Sequence, residues 1–140
     1  MANEAIMVYN LGPAIPMTVS DGTGIEKGSM VSLADLNTAA LAADSGVELG
    51  GITASEKIAS DGKTKLGVYP NGIFKMYASG AIVVGRAISS AADANYPNHV
   101  KEAGVTESGA AILGYARETA ATTETFLAHV NVGCGGNQIS

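Results

Sequence analysis

The sequence has no tryptophan, two phenylalanines and one cysteine in 140 residues. With so little aromatic bulk, a core has to be built from Val, Ile, Leu, Ala and Met. The single cysteine, Cys134, excludes an internal disulfide, and a glycine-rich surround offers it no base to lower its pKa. Charged residues make up 15%, against a usual value of roughly 25%. The balance is acidic, at −5. That excludes the basic face that nucleic acid or an anionic membrane would need. No apolar run approaches the roughly 18 residues that span a bilayer. Met1 to Met7 has neither a basic start nor an apolar stretch, so no secretory signal is expected and synthesis is expected in the cytoplasm.

Hydrophobic residues are plentiful, at 46%, and there are 18 glycines. A sizeable core crossed by many tight turns follows from that pair of values. The length suits one domain or two small fused β units. The most ordered pattern is Leu66 to Ser79, LGVYPNGIFKMYAS. Pro70-Asn71-Gly72 separates two apolar runs and has the order of a hairpin turn, with Gly72 free to take positive φ. Ile73, Lys75 and Tyr77 alternate with Phe74, Met76 and Ala78, the period of a strand with one buried face.

Before this stretch, residues 1–20 mix apolar side chains with Pro13 and Pro16, which argue against a helix and against a central strand. An extended N-terminal arm is expected there. Ile25 to Leu33 reads as a strand, Ala39 to Ala43 as a short strand or helical turn, and Glu48 to Ala59, which contains Gly50-Gly51, as a strand pair or a bulged strand. From Gly80 the pattern starts again. Gly80 to Ser89 parallels Gly24 to Ser32, and Thr122 to Gly133 parallels Thr64 to Gly72, at spacings of about sixty residues. A duplication of 24–72 in 80–133 is therefore expected within a β domain of 21–133. Ser90 to Ser108 is read as an irregular excursion with helical turns at Ala91 to Ala94 and Val100 to Ala103, and 134–140 as a flexible tail. The fold class is mainly β: a compact barrel or sandwich with tight hairpins, possibly two similar units, and little helix.

Chemical motifs are weak. Gly22 to Gly28 has dinucleotide-loop glycines but is preceded by prolines and followed by a strand. Gly62-Lys63-Thr64 copies the end of a phosphate loop, yet Lys57 stands where that loop needs glycine. His99 and His129 lack partners at metal-ligand spacing. Glu56 and Glu118 hold similar places in the suspected repeats, where ion pairing with the adjacent Lys57 and Arg117 explains them better than acid–base chemistry. No catalytic residue, cofactor or metal is expected.

The run Gly50 to Tyr77, GGITASEKIASDGKTKLGVYPNGIFKMY, resembles a segment of the lambda-like head decoration proteins. Their matching feature is a strand, a polar turn and a second strand with a small "G-x-F" step. The Met1-Ala2-Asn3-Glu4 start with its extended arm, and Ile25 to Leu33, resemble the wider family of capsid cement proteins of tailed bacteriophages. The resemblance implies a structural virion protein on the outer capsid surface. It would bind the major capsid protein and sit as a homotrimer at three-fold or quasi-three-fold points, clamping neighbouring capsomers. Ile6, Val8, Tyr9, Leu11, Ile15 and Met17 are the expected capsid-binding residues, because they make the arm too apolar for a solvated tail. The rival readings are a head-fibre or receptor-binding β module, which calls for a fibrous stem, and a small-molecule-binding barrel or enzyme, which calls for a deep pocket with converging polar groups.

Overall fold

Alternation of small apolar and polar residues, broken by glycine and proline, yields eleven strands among the described residues. The structure is a computed structural model that describes residues 4–42, 48–92, 96–103 and 111–132. The strands are β1 (Ile6–Asn10), β2 (Ile15–Thr18), β3 (Met30–Ala34), β4 (Thr38–Leu41), β5 (Leu49–Thr53) and β6 (Lys65–Tyr69). After these come β7 (Asn71–Ala78), β8 (Ala87–Ser90), β9 (His99–Glu102), β10 (Ile112–Ala116) and β11 (Thr125–Asn131).

Ten of the strands close into two barrels. Barrel 1 has the order β2-β4-β3-β5-β6, with β6 pairing back on β2. Barrel 2 has the order β7-β11-β10-β8-β9, closed by the parallel pair β7–β9. The connectivity is the same in both. The first strand pairs parallel with the third and antiparallel with the fifth, and the second pairs with the third and fourth. Strand β1 is the addition, lying along β7 outside the repeat.

Details repeat as well. Ile25 and Lys57 exchange two backbone bonds of 2.8 Å, and Ile82 and Ala120 exchange two of 2.9 Å. Gly28 N–H donates to the Thr53 carbonyl as Gly85 N–H does to that of Ala116. Both glycines sit at positive φ, 79° and 84°. The second strand meets the fourth across a bulge in both barrels, beside Gly51 and Gly114. A side chain on either would collide with a backbone carbonyl, of Tyr69 and His129 respectively.

One hydrophobic core spans both barrels: Met30, Leu49 and Ile52 of barrel 1 pack with Phe74, Met76 and Phe126 of barrel 2. A smaller cluster fills barrel 1 around Met17, Val31 and Val68.

Several expectations need correction. Leu66 to Ser79 is not a hairpin. Strand β6 pairs with β2 and β5, β7 pairs with β1, β9 and β11, and Pro70 alone separates them. Gly72 is not in the left-handed region; it is small because a Cβ there would stand 2.9 Å from the Phe74 ring. The first twenty residues are not a free arm but supply β1 and the barrel strand β2. Pro16 is tolerated in β2 because β4 meets that strand only at Thr18, so no ladder bond is lost at the proline. The first repeat thus begins before residue 21, and the boundary between repeats falls at Pro70. Ile25 to Leu33 is strand only from Met30. Val100 to Glu102, expected as a helical turn, is part of β9. Residues 93–95, 104–110 and 134–140 lie outside the described residues, and with them most of the expected helical turn at Ala91 to Ala94, the rest of the excursion, and the tail.

Candidate interaction face

Strand β7 sends Phe74, Met76 and Ala78 into the core and Ile73, Lys75 and Tyr77 outward. Residues directly opposite on neighbouring strands share a face. The register therefore builds rows across the outside of barrel 2. One row runs Tyr9, Ile73, His129, Tyr115 over β1, β7, β11 and β10. The next runs Ile6, Lys75, Leu127. A third sets Tyr77 between Thr125 and His99. The His99 ring stacks between Tyr77, at 4.0 Å, and Tyr96, at 4.7 Å. Both histidines and four of the five tyrosines stand on or beside this one surface.

A chain of hydrogen bonds fixes one corner of it. Arg117 Nη1 donates to the Tyr115 hydroxyl oxygen at 3.1 Å, and that oxygen lies 2.9 Å from His129 Nδ1. His129 Nε2 lies 3.3 Å from Asn71 Oδ1. Every partner is satisfied if the tyrosine donates to Nδ1 and Nε2–H donates to Asn71, which requires neutral imidazole. Burial and the nearby Arg117 charge lower the His129 pKa and favour that state.

Of the six expected docking residues, Ile6, Val8, Tyr9, Leu11 and Ile15 are exposed, Tyr9 to 62%. Met17 is not available: at 1% exposure it is part of the barrel 1 core. Alternation points Ile15 and Met17 to the same side of β2, but Ile15 stands at the strand end and stays 41% exposed, whereas Met17 is covered inside the closed barrel. The histidines and tyrosines of the face were not anticipated as a group. Alternation in β11 puts His129 beside Leu127, but that Tyr115 and Tyr9 share its row follows only from strand order.

The outside of barrel 1 is different. Pro16 faces Gly67, Thr18 faces Lys65, and Ser32 faces Ala40. These are small or polar residues with no aromatic among them.

Barrel 1 instead holds a buried ammonium. Lys57 Nζ is bonded to Asp21 Oδ1 (3.0 Å), Asp61 Oδ1 (2.8 Å) and the carbonyls of Asp21 (3.0 Å) and Ile58 (2.7 Å), with its side chain wholly covered. Desolvation opposes the charge, but the bonds to Asp61 and Asp21 outweigh it and raise the pKa. The same bond from Lys57, with one from the Lys63 N–H, lowers Asp61 to about 2. An amine held charged with all its protons engaged has no lone pair for base or Schiff-base chemistry. Beside it lies a cleft of about 350 Å³ whose walls include Ile25, Leu41, Ile58 and Pro97, with Glu26 and Glu56 at its sides. Among the described residues, no three His, Cys, Asp or Glu side chains group as metal ligands. Gly22 to Gly28 and Gly62 to Thr64 open no helix, so neither is a nucleotide loop. Glu56 and Glu118 are not counterparts, since Lys57 matches Ala120. Cys134 lies outside the described residues.

No family model and no curated protein matches the chain.

Proposed function

We propose that the chain is a structural virion protein that coats the outside of a tailed-phage capsid. The observation that carries this reading is the outer face of β1 and barrel 2, where Ile6 and Tyr9 stand exposed beside the Tyr115–His129 pair on a rigid sheet. Large aromatic and aliphatic side chains on a preformed surface are suited to burial against another protein. The resemblance of Gly50 to Tyr77 to head decoration proteins favours the capsid shell as that protein. Copies would sit at three-fold or quasi-three-fold points and clamp capsomers against internal pressure.

The test is retention on shells. Purified protein is added to capsids that lack it, and exterior density is sought by electron microscopy. Ile6→Ser combined with Tyr9→Ser should leave thermal melting of the free protein nearly unchanged and abolish retention. Full retention by this variant, or no exterior density with the native protein, rules the reading out.

A further inference from the structure

The repeat leaves one interface half used. In barrel 2, the loop before β9 docks on barrel 1. Pro97 is buried there, its carbonyl accepts from the Met30 N–H at 3.0 Å, and the residue lines the cleft together with Ile25 and Ser29. Asn98 Nδ2 reaches the Glu4 carbonyl at 3.4 Å. Next to it the chain start covers the receiving turn: Ala5 N–H donates to the Gly28 carbonyl, and a Cβ on Gly28 would lie 2.6 Å from the Ala5 oxygen.

The counterpart loop of barrel 1 is Asp35-Leu36-Asn37. The match is fixed by the parallel pairs Thr18↔Thr38 and Tyr77↔His99 and by the bonds Thr18 N–H to the Asn37 carbonyl and Tyr77 N–H to that of Asn98. Leu36 therefore stands where Pro97 stands, but it is 91% exposed. It also holds φ at 62°, a region that disfavours a bulky side chain and suits glycine or asparagine. Asn37 pins the loop, donating from Nδ2 to the Pro16 carbonyl at 2.9 Å. An apolar side chain is thus presented to water, at a conformational cost, on a fixed support.

The counterpart of the receiving turn is Ile82 to Arg86 in barrel 2. It is uncovered. Gly85, the match of Gly28, has nothing within 4 Å of a would-be Cβ. Val83 and Val84 are half exposed, and the Arg86 side chain is 65% exposed, with Nη1 3.8 Å from Glu102 Oε1. Among the described residues, barrel 1 carries the inserting loop without a receiver, and barrel 2 the receiver without an inserting loop.

We infer that the Leu36 loop of one copy docks on the Val83–Arg86 turn of a second copy, repeating between molecules the contact that joins the two barrels within one. Leu36 covers the valines, and Asp35 brings a carboxylate towards Arg86. The contact is head to tail, so copies form a ring if the rotation closes and a chain if it does not.

Sedimentation of the full-length protein, from micromolar to near-millimolar concentration and without capsids, tests this independently of any decoration role. The native chain should associate. Leu36→Asp and Val83→Glu, at exposed positions that leave the barrels intact by thermal melting, should each weaken association roughly tenfold or more, as removal of a central anchor does. Leu36→Gly should weaken it too while raising the melting temperature. Mixing the two charged variants should restore one-to-one dimers that grow no further, because each retains the half that the other lacks. A native chain that stays monomeric, a Leu36→Asp variant that associates normally, or a mixture no better than its components overturns the inference.

Discussion

The two barrels have one frame and different fillings. Bulge, close-packed glycine, reciprocal bridge and parallel closing pair recur in both. What they enclose does not. Lys57 of barrel 1 matches Ala120 of barrel 2. Asp21, whose carbonyl accepts from Ser60, matches Ala78, whose carbonyl accepts from Thr123. The lysine and one of its two aspartates thus correspond to small apolar residues in the other barrel, while Asp61 corresponds to Glu124, which there accepts from the Ala121 N–H. Barrel 2 in turn takes both phenylalanines inside and the tyrosines and histidines outside. Backbone geometry sets this topology, and side chains that satisfy their own polar groups can be exchanged within it.

The largest effect should come from asymmetry at the chain start. Deleting Ala2 to Met17 removes β1 and most of β2, leaving barrel 1 open and β7 without its neighbour from Gly72 to Lys75. Circular dichroism should show loss of the cooperative transition; a deletion variant that melts near the native temperature would mean that barrel 1 closes without its first strand. Next in size, Phe126→Ala opens the shared core and should cost about 3–5 kcal/mol in urea unfolding. A value under about 1 kcal/mol would show that the core at β11 collapses around the loss. The smallest effect separates the barrels by pH. Asp61 is lowered from 3.8 to about 2 by its Lys57 bond. Unfolded chain therefore binds more protons in this window, and the stabilisation is complete above pH 3.8 and lost as pH falls through about 2. Asp61→Asn should lower stability at pH 7 and flatten the acid limb of the stability curve. An unchanged acid limb would locate that loss elsewhere.

Much of this frame was legible in the residues. Alternation at Ile73 to Ala78 marked the buried face correctly, and recurring glycines marked two similar β units. Partner choice was not legible. Pro70-Asn71-Gly72 has the composition of a turn whether the flanking strands pair with each other or, as here, with strands far along the chain. Proline in residues 1–20 signalled a free arm because the unpaired edge that accommodates Pro16 exists only once β4 and β6 are in place. For the candidate face, exposed apolar residues of β1 could be named in advance. Lys57, lying between Glu56 and Ile58, carried no local sign that its ammonium would be buried.

The core shared across Pro70 has a consequence for the order in which the chain leaves the ribosome. Once Tyr69 has emerged, every strand of barrel 1 is present, and its inner cluster around Met17 and Val68 can form. Met30, Leu49 and Ile52 still face water, and β1 has no neighbour, because both wait for β7 and β11. A half-made chain is thus a closed barrel with one greasy wall and a loose strand, a species prone to wrong pairing until the last strand arrives.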